Sequence, residues 1–131
     1  MMPNPSTSPK AKIVVADDDL DLCELLEMKL RQSNYEVFTA TDGAQALEMV
    51  RSVHPHLVIL DIMMPLMTGM EVLRHLKAEP ATADIPIILM TAKRQESDVS
   101  SGFALGVVDY IVKPFNLRDL VLQVQSVISG P

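Results

Sequence analysis

With 131 residues, 48% of them hydrophobic and 21% charged, the chain fits one globular domain, with no room for a second core and no resemblance in composition to a disordered protein. A formal net charge of −6 excludes a broad nucleic-acid or anionic-membrane surface, because neutralising phosphates takes clustered Lys and Arg. The apolar runs fall far short of the roughly 20 residues of a spanning helix, no secretory leader opens the chain, and the single Cys23 allows no internal disulfide, so a cytoplasmic protein is expected.

Residues 1–10, with Pro3, Pro5, Pro9, Ser6 and Ser8, lack periodicity and predict a disordered tail; the domain is expected over 11–129. Ile13 to Ala16 is a short apolar run, a first buried strand, and it stops at Asp17-Asp18-Asp19. From Leu20 the period changes to about 3.6, predicting a helix with Leu22, Leu25, Leu26 and Leu30 inward. Tyr35 to Ala40 alternates and is β-rich, giving a second strand. After the Asp42-Gly43 turn, a helix runs from about Ala44 to Val53 and ends before Pro55. Leu57 to Leu60 has no polar alternation, the pattern of a strand buried on both faces, and Asp61 closes it. Pro65 to Gly69 forms the loop that follows, with a third helix from about Met70 to Ala78. Ile85 to Thr91 predicts a fourth strand, with Pro86 tolerable only near its start. A fourth helix over about Ser97 to Leu105 contains Ser100, Ser101 and Gly102, all poor in a helix interior. Val107 to Val112 is a fifth strand ending at Lys113-Pro114, and Asn116 caps a last helix reaching about Ile128.

Five strands alternating with five helices imply a doubly wound α/β fold: a parallel sheet with right-handed crossovers and helices on both faces. Ligands of such sheets collect outside the carboxyl ends of the strands. There the sequence offers Asp17 and Asp18, Asp61, Thr91 and Lys113. Each pair of carboxylates about 4 Å apart would repel by about 4 kcal/mol at an effective dielectric of 20. Lys113 supplies one compensating charge, and the remainder suggests a hard divalent cation with few protein ligands, such as Mg²⁺. An acidic site with such a cation becomes a phosphate site in which a carboxylate can be the nucleophile.

Ala16-Asp17-Asp18-Asp19, Leu60-Asp61-Ile62-Met63-Met64-Pro65 with Gly69, Met90-Thr91-Ala92 and Lys113-Pro114-Phe115 together resemble the motifs of the receiver domain of two-component response regulators, over about Lys12 to Ile128. The resemblance implies the flavodoxin-like strand order 2-1-3-4-5. It implies that Asp61 accepts a phosphoryl group from a histidine kinase or phosphotransfer protein. Asp18, Asp61 and the backbone carbonyl of Met63 would bind Mg²⁺ directly, or Mn²⁺ in its place, with Asp17 acting partly through water. Thr91 would bond the phosphoryl group, Lys113 would pair with Asp61 or its phosphate, and Tyr110 would report the state by its rotamer. The Lys113–Pro114 bond would be cis.

The family resemblance also implies an output surface on the fourth helix, fifth strand and fifth helix, meeting a downstream protein, an output domain or a second copy of the chain. Phe103 is expected in the core; Leu105, Val107 and Val108 are left open. His54, His56 and His75 lack metal-ligand spacing and are expected at the surface, and Cys23 is expected partly buried. The sequence departs from the family pattern at Leu66 and Thr68, where many members have glycine and an acid, and Met63 implies a long-lived phosphoryl state. An aspartate-nucleophile phosphohydrolase would need a second acid where Met63 stands, a nucleotide carrier a Gly-rich or Ser/Thr loop in place of three aspartates, and a pseudo-receiver would not need the full set of strand-end groups. The expectation is a regulatory phosphoacceptor, not a turnover enzyme, with no direct contact to nucleic acid or membrane.

Overall fold

Strands without a polar face need helices on both sides, and the chain supplies them alternately. In the computed structural model, which describes residues 9–92 and 96–129, the elements are β1 (Lys12–Ala16), α1 (Leu20–Gln32), β2 (Glu36–Ala40), α2 (Gly43–Val53), β3 (Leu57–Asp61), α3 (Gly69–Ala78), β4 (Ile87–Ala92), α4 (Glu96–Ala104), β5 (Asp109–Lys113) and α5 (Leu117–Ser129). The expected tail lies outside the described residues up to residue 8; Pro9 and Lys10 are exposed. All neighbouring strands pair in parallel in the order β2-β1-β3-β4-β5, the doubly wound order expected. Among the described residues, no helix is long and apolar enough to cross a membrane.

The sheet divides the core in two. Val14, Ala16, Val58, Leu60, Ile87 and Leu89 point to the side covered by α2 and α3. Ile13, Val15, Leu57, Ile59, Ile88 and Met90 point to the side covered by α1 and α5. This is the period-2 alternation of a strand, here apolar in both directions. All five residues of β3 are buried, so the central strand is fixed from both faces.

Two inward assignments are corrected. Leu25 is 44% exposed, because α1 turns Cys23, Leu26 and Leu30 to the sheet and Leu25 sits about 100° round the axis from Leu26. Phe103, expected in the core, is also 44% exposed. Among the described residues of α4, the one turned inward is Gly102: a Cβ there would stand 2.5 Å from Leu89 Cδ1, so glycine permits the approach and Phe103 falls to the flank. Val107 is buried and Val108 is exposed. Two strands begin later than their apolar runs. Ile85 donates to the Thr82 carbonyl in a turn, Pro86 has no N–H to give, and Val107 N–H closes the end of α4 on Gly102.

The loop from β3 to α3 is held against its surroundings by two glycines. Gly69 N–H donates to the Ile62 carbonyl at 2.8 Å, and a Cβ on Gly69 would lie 2.1 Å from the Asp61 carbonyl oxygen. Gly43 N–H donates to the Pro65 carbonyl at 3.3 Å, and a Cβ on Gly43 would lie 1.8 Å from the Met67 carbonyl oxygen. Thr68 then starts α3 with a reciprocal cap, accepting from the Glu71 N–H while the Glu71 carboxylate accepts from the Thr68 N–H. Because the neighbour at Gly69 is backbone and cannot rotate away, Gly69→Ala is expected to lower stability by about 2 kcal/mol or more. Urea unfolding measures this; an unchanged midpoint would show that the contact is slack.

Candidate functional site

The site is assembled from residues that the fold delivers to one end of the sheet. Asp17 follows β1, Asp61 is the last residue of β3, Thr91 lies near the end of β4, and Lys113 ends β5. This is the crevice where the chain direction of winding reverses, between β1 and β3. Carboxylate oxygens of Asp17, Asp18 and Asp61 all lie within 4.8 Å of one another. Asp17 and Asp61 are buried and Asp18 is exposed.

Lys113 Nζ donates to Asp17 Oδ2 at 2.6 Å and lies 3.3 Å from Asp61 Oδ2. The other Asp17 oxygen accepts the Asp19 N–H at 2.9 Å, so both oxygens of Asp17 are engaged. The Met63 N–H also reaches the Asp61 carboxylate, while the Met63 side chain is 61% exposed. Burial alone would lower the Lys113 pKa, but the bond to Asp17 and the charges of Asp61 and Asp17 outweigh it and the pKa is raised. Three carboxylates against one ammonium leave a formal −3 + 1 = −2 in the pocket.

The donor set is entirely oxygen, carries two excess negative charges and includes one exposed, adjustable carboxylate. A Mg²⁺ ion with ligands near 2.1 Å spans about 4.2 Å across its octahedron, close to the observed spread, and it keeps several waters. The residues present therefore fit a single hard divalent cation.

Thr91 is buried, and its hydroxyl donates to the Ala92 carbonyl at 3.0 Å. Tyr110 lies at the far end of β5, 39% exposed, with its ring edge-to-face against Phe103 at a centroid distance of 5.5 Å. The structure thus brings Asp17, Asp18, Asp61 and Lys113 together, with Thr91 on the adjacent strand, and leaves Tyr110 with Phe103 on the α4–β5 face. The Lys113–Pro114 bond is cis.

Three features of the site escaped the sequence. Cys23 is buried, and its thiol donates to the Asp17 carbonyl at 3.2 Å; burial, then the nearby Asp17 charge, pushes its pKa up to about 11. Asp19 caps α1 through its side chain while its N–H holds Asp17. Leu66 adopts a φ of 68°, a left-handed conformation that costs a leucine roughly 1–2 kcal/mol.

Burial, with the Asp17 charge beside it, pushes the Asp61 carboxyl up from 3.8 to about 6, against the opposing pull of Lys113 and the Met63 N–H. The folded chain thus binds this proton more tightly than the unfolded chain. The associated stability is complete below the unfolded value and is lost as pH rises through the folded one. In metal-free buffer Asp61→Asn is expected to gain about 1–3 kcal/mol over the wild type near pH 7, and the gap should close toward pH 4. Urea unfolding over this range measures it; a gap independent of pH excludes Asp61 as the titrating group.

Comparison with known proteins follows the same outline. The family model described as "Response regulator receiver domain" matches residues 13–125. A relative named "Probable transcriptional regulator ycf27" in Cyanophora paradoxa is 42% identical over 119 residues, covering 91% of this chain and 48% of its own length. Its counterpart in Porphyridium aerugineum has the same figures, so the chain spans about half the length of the curated relatives it matches. Among solved structures, the chemotaxis response regulator CheY4 of Vibrio cholerae is 30% identical with a TM-score of 0.85, covering 91% of this chain and 99% of that one. A signal receiver domain of a histidine kinase from Syntrophus aciditrophicus is 30% identical with a TM-score of 0.83, covering 92% and 91%. With the family model matched over most of its length and the five-stranded sheet in the same order, the chain belongs to the response regulator receiver domain family.

Proposed function

We propose that Asp61 is a phosphoacceptor, taking a phosphoryl group from a histidine kinase or phosphotransfer protein in a unit spanning residues 11–129. The observation that carries this reading is Lys113 in contact with both Asp17 and Asp61 inside a cluster of three carboxylates. Such a cluster is costly unless cations and anionic oxygens complete it.

An Asp61 carboxylate oxygen attacks phosphorus as the bond from phosphorus to the donor's imidazole nitrogen breaks, leaving an acyl phosphate and a free imidazole. Mg²⁺, when bound, shields charge between the carboxylates and the phosphoryl oxygens. Asp18 and Asp61 are suited to hold it directly, with the Met63 carbonyl, because both Asp17 oxygens are already engaged and leave Asp17 to act through water. Lys113 then moves its bond from carboxylate to phosphoryl oxygen. Thr91 leaves the Ala92 carbonyl to donate to the same group, and Tyr110 changes its packing against Phe103 on the face that meets a downstream protein, an output domain or a second copy. Met63 is exposed and brings no second acid, which supports storage of the group rather than turnover. The relatives bearing the name "Probable transcriptional regulator ycf27" are about twice as long, so any nucleic-acid contact is assigned to an output segment or partner rather than to this acidic surface.

Incubation with Mg²⁺ and phosphoramidate, followed by intact mass, is expected to show one base-labile phosphoryl group on the wild type and none on Asp61→Asn. Its half-life at neutral pH is expected to exceed a few seconds. Absence of an adduct with phosphoramidate and with a phosphorylated histidine kinase alike overturns the reading. Mg²⁺ at ten times its Kd should also raise the unfolding free energy by about 1.4 kcal/mol. Asp18→Asn, a change at an exposed residue, should abolish that gain at the same Mg²⁺ concentration without altering the metal-free stability by more than about 0.5 kcal/mol.

A further inference from the structure

Leu66 carries two costs at once. Its φ of 68° lies in the region that L side chains rarely adopt, and its side chain is 84% exposed. The Pro65 carbonyl accepts the Met67 N–H at 2.7 Å across Leu66, so the residue is the corner of a γ-turn at positive φ, a rare and strained form. The same carbonyl accepts the Gly43 N–H, and Gly69 fixes the end of the loop on Ile62. Leu66 therefore cannot relax its backbone without releasing the loop from α2. Glycine would adopt this turn freely and expose nothing apolar. A side chain so exposed finds little inside the chain to offset either cost.

Local strain that its own fold does not reward points to a use outside it. Leu66 stands five positions after Asp61 in the loop that rims the crevice. Leu20, which opens α1 just after β1, and Met63, which follows β3, are 65% and 61% exposed at the same end of the sheet. We infer that Leu66 is a specificity-determining anchor for the protein that delivers the phosphoryl group, filling an apolar pocket on that donor. This rests on the phosphoacceptor reading. The donor is the occupant the geometry favours, because it must bring its phosphohistidine to bonding distance of the buried Asp61 and so must cover this rim. A second copy of the chain has no such need. A small phosphodonor can enter the crevice without touching Leu66.

The test separates these routes. A panel of autophosphorylated histidine kinases is offered to the wild type, and the one that transfers fastest is kept. With it, Leu66→Asn and Leu66→Gly, both of which tolerate positive φ, should lower kcat/KM for transfer about tenfold, mainly through KM, as loss of a buried anchor does. Leu66→Met should stay within about twofold, since it keeps the apolar volume. With phosphoramidate and Mg²⁺, all three should react within about twofold of the wild type, the difference expected when the chemistry itself is untouched. Melting temperatures of the Asn and Gly variants should equal or exceed the wild type, so that a loss of transfer is not a loss of fold.

Unchanged kinase transfer to Leu66→Asn overturns the proposal, as does a loss seen equally with phosphoramidate or equally in Leu66→Met. A wild type that reacts with phosphoramidate but with no kinase overturns the donor-protein role alone. A wild type that reacts with neither overturns the phosphoacceptor reading as well.

Discussion

The ion pairs of Lys113 are the constraint around which the rest is arranged. One ammonium, partly shielded from solvent, holds two carboxylates that burial and mutual repulsion would otherwise drive apart or neutralise. Desolvating three charges is expensive, and the geometry must be good for attraction to offset it. Here it is good because each group is mounted at the end of a strand in one continuous sheet. Even so, the compensation is incomplete: Asp61 remains a weaker acid than an ordinary aspartate, and the pocket keeps an excess of negative charge. A site left in that condition has the charge and the oxygen donors that suit a cation.

Much of this was legible in the chain because buried parallel strands announce themselves twice, by unbroken apolar runs and by the polar residue that ends them. Asp61 after Leu57 to Leu60, and Asp17 after Ile13 to Ala16, stand out for this reason. Helix faces were read less well. The period locates an apolar stripe but not its centre, so Leu25 reads as inward although the stripe is made by Cys23, Leu26 and Leu30. Phe103 was misplaced for a different reason, since hydrophobicity favours the large side chain while packing against Leu89 selected the residue with none.

What could not be read is what depends on partners distant in sequence. Nothing near Gly43 says that it faces the Met67 carbonyl, and nothing near Cys23 says that its thiol meets the Asp17 carbonyl. The left-handed turn at Leu66 belongs to the same class. The departure from glycine was visible, but not that the backbone keeps the glycine-like conformation in spite of it. The loop geometry is imposed from outside, by α2 at one side and the end of β3 at the other, and the local sequence yields to it.

The pair between Lys113 and Asp17 joins groups 96 positions apart, and this separation bears on when the pocket comes into being. A chain growing on the ribosome exposes Asp17 and Asp61 well before residue 113 has been made, and β5 docks on an edge of the sheet that must already exist. Until then the acids have no lysine and no shared crevice. The pocket therefore forms only once β5 has docked. The charges of Asp17 and Asp61 are balanced only once the chain has been made and folded through β5.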